Sequence, residues 1–129
     1  MVSVVVDTSI LIDHLRKAST TFIELSKLQS EGKVRLLIPL IVVVELFIGK
    51  STKIKRVERL IDQILDEVEL VSLTRKSAKI AGCLVRDYQH LSDPYDLLIA
   101  AIALEKKAKI ATLNIKHFKP IKGLRLYRV

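Results

Sequence analysis

The chain has 129 residues, half of them apolar, which suits one folded domain with a real core and excludes a disordered segment. No apolar run reaches the roughly 18 residues that a membrane span needs, Met1-Val2-Ser3 lacks the basic stretch of a secretory signal, and the single Cys83 can form no internal disulfide. A reducing, cytoplasmic setting is expected, with Cys83 packed inside a helix. The net charge of +8 is uneven: Lys106 to Val129 holds eight basic residues and no acid, while the 14 basic residues of positions 1–105 balance 14 acids. A basic end suits a polyanionic partner, or a solvated face.

Taken in chain order, Val2 to Val6 predicts a buried strand, short and β-branched. Thr8 or Ser9 can cap the helix that follows, which carries Ile10, Leu11, Ile12 and Leu15. A second helix is expected from about Thr20 to Ser30, ended by Gly32. Val34 to Ile38 reads as a strand, with Pro39 in the first turn of the next helix. Ile41 to Val44 favours a strand on propensity, but the surrounding pattern favours a helix. Val57, Leu60, Ile61, Ile64, Leu65 and Val68 follow a helical period, Glu69 to Leu73 a strand, and Ala78 to Tyr88 another helix. Asp93 caps a helix running to about Lys107, apolar without a break from Leu97 to Leu104 and so expected to be buried on most sides. Lys109–Thr112 and Leu124–Tyr127 read as the last strands, with a turn or short helix between them. Alternating strands and helices imply an α/β fold, a mostly parallel sheet covered on both faces, with its site at the carboxyl ends of the strands.

Three acids lie in apolar surroundings. Asp7 ends the first strand, Glu45 is embedded in Ile38–Gly49, and Asp96 opens the buried helix. Each has a simple structural role open to it: Asp7 as a cap, Glu45 paired with a Lys or Arg, Asp96 satisfied by a helix dipole. Together they suggest one acidic site. Carboxylates crowded at a sheet edge stay ionised if a divalent cation neutralises them, and oxygen ligands without a Cys or His cluster select Mg²⁺ or Mn²⁺. Such an ion activates water and stabilises charge on a phosphoryl oxygen, which points to phosphodiester hydrolysis. Asp93 reads as a cap that could also reach the ion or its waters. His117 could contact phosphate or donate a proton, or be a turn residue beside Phe118.

Asp7-Thr8-Ser9 after a first strand, Glu45, Asp93-Pro94-Tyr95-Asp96-Leu97-Leu98-Ile99-Ala100-Ala101 and Thr112-Leu113-Asn114-Ile115-Lys116-His117-Phe118 resemble PIN domains, and within them VapC-type toxins of toxin–antitoxin pairs. The resemblance covers essentially the whole chain as a single domain. It implies a three-layer α/β/α fold with a central, mostly parallel sheet and an Mg²⁺- or Mn²⁺-dependent endoribonuclease site. Asp7, Glu45 and Asp96 match the acidic core, with Asp7 and Asp96 as metal ligands and Glu45 a ligand directly or through water. Ser9, Thr112 and Asp93 match supporting positions. It further implies an RNA substrate, for which Lys116, His117 and Lys119 are candidate contacts, a cognate antitoxin, and a homodimer. Apolar residues of Leu11–Leu28 and Val57–Leu65 could form a groove for that antitoxin. Asn114 stands where many relatives carry a fourth acid, so it would be a weak or indirect ligand and favours one metal over two.

Rival readings fit less well. An aspartate-phosphorylating phosphatase generally needs an acid two residues after the first, where this chain has Ser9. A receiver domain needs a further acid pair, and a nicotinamide-binding domain a glycine fingerprint that is missing here. A non-catalytic RNA-binding or scaffold protein of the same fold is the alternative.

Overall fold

A computed structural model describes all 129 residues. Strand β1 (Val2–Val6) is followed by helices α1 (Thr8–Leu15) and α2 (Thr21–Ser30), then β2 (Val34–Pro39) and α3 (Leu40–Ile48). A 3-10 turn (Lys50–Lys53) leads to α4 (Lys55–Asp66), β3 (Glu69–Val71), α5 (Arg75–Tyr88), α6 (Pro94–Lys106), β4 (Lys109–Ala111) and the one-turn α7 (Ile115–Phe118). The four strands form one parallel sheet in the order β3-β2-β1-β4, with helices on its faces.

The order follows from the sequence of β1. Val4, Val5 and Val6 are fully buried, as only a central strand covered on both faces can be. The chain leaves β1 for β2 on one side and returns to β4 on the other, so the direction of winding reverses between β1 and β4. That reversal opens a crevice at their carboxyl ends. In register, Val6 lies beside Ala111, and the Asp7 amide donates to the Ala111 carbonyl at 3.0 Å.

Helix α6 closes over the sheet as expected. Leu97, Ile99 and Ala100–Ala103 are buried, and each large side chain contributes about 1.5–3 kcal/mol by leaving water. Asp93 caps α6, its Oδ1 accepting from the Tyr95 amide at 2.7 Å, and Pro94 takes the first helical position. In α3 the β-branched run Ile41–Val44 is helical because Val42 and Leu46, four apart, are buried on one face while α3 packs against α1 and α6.

Four expectations need correction. Pro39 ends β2 and holds the N-cap position of α3, one residue before its first turn; φ −62° and ψ 140° suit a strand end. The N-cap of α1 is Asp7, not Thr8 or Ser9, and its side chain makes no capping bond. Leu124–Tyr127 forms no strand but a single parallel bridge, Ile110 with Leu126. The reason is the shortness of β4: alternate residues of a strand turn their amides to opposite sides, so three residues offer only Ile110 to the outer edge. Its amide donates to the Arg125 carbonyl at 2.9 Å and its carbonyl accepts from the Tyr127 amide at 2.7 Å. Finally, Cys83 is exposed. Helix α5 buries Ser77, Ala81 and Leu84, and residue 83 lies off that stripe.

Candidate functional site

Each acid reaches the crevice by its own local logic. Asp7 is the first residue past β1, so it stands at the crevice without a turn to place it. It is 2 % exposed. Asp96 is the third residue of α6, 7 % exposed, at the end of the helix where the dipole is positive. Glu45, half-buried, comes from the middle of α3. All three line one cleft of about 380 Å³ with Thr8, Ser9, Ile12, Asp13, Arg16, Ala18, Leu113 and Asn114.

The hydroxyls around Asp7 are directed by the backbone. The Leu113 amide donates to Ser9 Oγ at 3.0 Å, and the Asn114 amide donates to Thr112 Oγ1 at 2.9 Å. With those lone pairs taken, both hydroxyls give their hydrogens to Oδ2 of Asp7, Ser9 at 2.7 Å and Thr112 at 2.8 Å. Thr8, the residue before Ser9, donates to Glu45 Oε1 at 2.7 Å. The triplet Asp7-Thr8-Ser9 therefore supplies one acid and holds two in place.

Asp96 is bonded through Oδ2 to Nδ1 of His117 at 2.9 Å. No Lys or Arg forms an ion pair with Asp7, Glu45 or Asp96. The electrostatic result is visible in the carboxyls. Asp96 is pushed up to about 6, first by burial, then by the charge of Asp7, and partly relieved by His117. Glu45 is raised by burial, opposed by the Thr8 hydrogen bond and reinforced by Asp7, Asp96 and Asp93.

The sequence-predicted residues divide accordingly. Asp7, Ser9, Glu45, Asp96 and Asn114 line the cleft, and Thr112 is buried beneath it. Asp93 acts as a cap and contributes charge without lining the cleft. Lys116 and Lys119 are exposed and lie outside the lining. His117 is no free turn residue. Thr8 as the holder of Glu45, and Arg16 as the one basic side chain lining the cleft, were not anticipated. For Arg16 the sequence signal is helical spacing, since residues 9, 12, 13 and 16 fall on one face of the helix that follows Asp7; Thr8 leaves no such signal.

The donor set fits a hard divalent cation: Asp7, Glu45 and Asp96 supply carboxylate oxygens, with Asp13 also in the lining, hydroxyl and amide oxygens beside them, and no bonded Lys or Arg to neutralise the three. It is not a ready cage. No three His, Cys, Asp or Glu side chains are grouped so as to hold an ion where they stand, and one oxygen each of Glu45 and Asp96 is already bonded, to Thr8 and His117.

A second, larger groove of about 1000 Å³ runs between α1, α2 and α4. Ile23 and Leu60 are exposed along it, and Phe22 and Ile64 form part of its wall. Ala18 lines both groove and cleft, so the two adjoin. The apolar residues expected to form a partner surface thus split: Leu11, Leu25 and Ile61 are core, while Ile23 and Leu60 face the groove.

Known proteins are similar in sequence and in overall fold. Ribonuclease VapC19 of Mycobacterium tuberculosis is 29 % identical over 117 residues, covering 88 % of this chain and 90 % of that protein. The crystal structure of VapBC2 from Rickettsia felis, bound to a DNA fragment from their promoter, contains a chain that superposes with a TM-score of 0.86 at 27 % identity over 97 % of both chains. DNA-bound VapBC from Salmonella typhimurium gives 0.85 at 21 % identity, over 98 % of both. The sequence model of the PIN domain matches residues 4–123, and on that near-complete match the chain belongs to the PIN domain family.

Proposed function

We propose that this protein is a divalent-metal-dependent endoribonuclease, the toxin of a toxin–antitoxin pair. The observation that carries the reading is the convergence of Asp7, Glu45 and Asp96 on one cleft at the carboxyl edge of the sheet with no Lys or Arg bonded to any of them. The name of the VapC19 relative, a ribonuclease, supports the same activity.

Asp7, Asp96 and Glu45, the last directly or through water, would hold Mg²⁺ or Mn²⁺, which when bound supplies an activated water and charge stabilisation at the phosphoryl oxygen. The chain's own part is to keep the carboxylates oriented and apart. Ser9 and Thr112 fix Oδ2 of Asp7, and Thr8 fixes Oε1 of Glu45. Arg16 lines the cleft with no acid bonded to it, and binds an RNA phosphate beside the scissile bond. Asn114 lines the cleft as a neutral side chain where a further carboxylate would add charge, which favours one ion over two. Lys116 and Lys119, exposed on and just beyond α7, hold RNA at a distance from the acids.

The adjoining groove suits an apolar antitoxin segment, and its opening at Ala18 lets that segment run on to cover the acids. The similar chains from Rickettsia felis and Salmonella typhimurium are parts of VapBC assemblies, which supports such a partner. On α3, Leu40, Val44, Phe47 and Ile48 are exposed at helical spacing, an apolar face suited to a second copy of the chain.

The deciding experiment is cleavage of RNA with Mg²⁺ or Mn²⁺ by the wild type, Asp7→Asn and Asp96→Asn. Loss of at least about 100-fold in both variants is expected. Equal nicking by all three would mean that the activity comes from elsewhere.

A further inference from the structure

We propose that His117 is a positioning residue for Asp96, a clamp that occupies Oδ2 and leaves Oδ1 as the oxygen available to a cation. The proposal rests on the metal-dependent reading above. His117 Nδ1 lies 2.9 Å from Oδ2, and no other side chain is hydrogen-bonded to Asp96.

The imidazole is 48 % exposed, and an exposed side chain ordinarily keeps its rotamer freedom. Here the backbone beneath it is held. The His117 carbonyl accepts the hydroxyl of Ser92 at 2.7 Å, and Ser92 is itself buried. The His117 amide donates to the Asn114 carbonyl at 3.0 Å, and the next residue, Phe118, is 1 % exposed and locked in the core. Helix α7 therefore grips the start of α6 at two points, Ser92 before its cap and Asp96 in its first turn. A one-turn helix needs no such double tie to remain on the surface, and Phe118 alone would anchor it.

The segment also connects the acids to one another. Thr112 and Leu113 reach Asp7, directly and through Ser9, and His117 reaches Asp96, all within six residues. One stretch after β4 thus sets the orientation of two carboxylates that come from opposite ends of the sheet's winding. Partners of this kind, bonded to a ligand rather than to the metal, commonly change metal affinity 10- to 100-fold.

The test is Mn²⁺ binding to the full chain at pH 7.5, measured by electron paramagnetic resonance or titration calorimetry, for wild type, His117→Ala, His117→Asn, Asp7→Asn and Asp96→Asn. His117→Ala should bind Mn²⁺ about tenfold more weakly or worse. His117→Asn, whose amide N–H can stand near the place of Nδ1, should return to within about threefold of wild type. Thermal melts should stay close to wild type for both, because the side chain fills no core space. If Asp96→Asn weakens binding while His117→Ala does not, or if His117→Asn is as weak as His117→Ala, the clamp is wrong and the metal site stands. If neither acid variant alters Mn²⁺ binding, the metal site itself is wrong and the clamp falls with it.

Discussion

The Thr112 hydroxyl at the end of β4 donates to Oδ2 of Asp7 at the end of β1 across 2.8 Å, joining residues 105 positions apart. This bond exists because Val6 and Ala111 are paired in the sheet, so the residues just beyond them face each other. Thr112 carries a second duty, accepting the Asn114 amide at 2.9 Å. Thr112→Val removes both bonds in a buried place. A loss of about 1–3 kcal/mol is expected, read as a melting midpoint lower by several degrees, and RNA cleavage should fall about tenfold. Thr112→Ser keeps the hydroxyl and should retain most of both.

Asp96 should contribute to the pH dependence of stability without metal. Its carboxyl has an ordinary value of 3.8 and stands at about 6 in the folded chain. Between those values the folded protein holds a proton that the unfolded chain has released, so folding is favoured on the acid side and loses ground as pH rises through 6. The full difference is on the order of 2 kcal/mol once screening by water in the cleft is allowed for. Asp96→Asn has no such proton to lose. In chelator at pH 7 it should melt higher than wild type, and its midpoint should change less between pH 4 and 7. A lower midpoint at pH 7 would contradict the crowding of acids in the cleft.

Arg16 should act on substrate binding rather than on turnover. Arg16→Ala is expected to raise KM for an oligoribonucleotide roughly tenfold while kcat stays within about threefold, and to flatten the log–log dependence of affinity on salt by about 0.7, the loss of one phosphate contact to a single strand. Mn²⁺ binding should be unchanged. A fall in kcat alone would place Arg16 in the chemistry instead.

The two apolar surfaces should separate on mutation. Ile23→Lys with Leu60→Glu places charge in the groove and should abolish binding of the cognate antitoxin, leaving RNA cleavage and the dimer intact. Val44→Lys with Ile48→Lys charges the outer face of α3 and should give a monomer in analytical ultracentrifugation, with antitoxin binding retained. All four side chains are between 44 and 61 % exposed, so the core is not disturbed.

How far the sequence revealed the site depended on the range of the signal. The strand Val2–Val6, buried only from Val4 onward, the cap at Asp93 and the apolar helix after Asp96 are local patterns, and each formed where expected. That placed Asp7 and Asp96 at the sheet edge. Glu45 followed once the helical reading of Ile41–Val44 held. The partners of these acids were harder to see: Thr8 meets Glu45 across 37 positions, and His117 meets Asp96 across 21. Such contacts depend on the rotamer of each side chain and on how two elements pack, and neither leaves a period in the sequence. Leu124–Tyr127 failed as a strand for a similar reason, since its pairing was limited by the length of β4 rather than by its own residues.

The placement of β4 beside β1 bears on when, during synthesis, the proposed site can form. Asp7 leaves the ribosome long before the strand that must lie beside β1, and the hydroxyl of Thr112 that orients it follows 105 positions later. A nascent chain halted between Asp96 and that strand holds all three acids without the scaffold that aims them, and one halted earlier lacks Asp96 as well. On the proposed activity, the chain stays harmless to RNA until Thr112 has emerged and paired with Asp7, which leaves time for an antitoxin to be waiting.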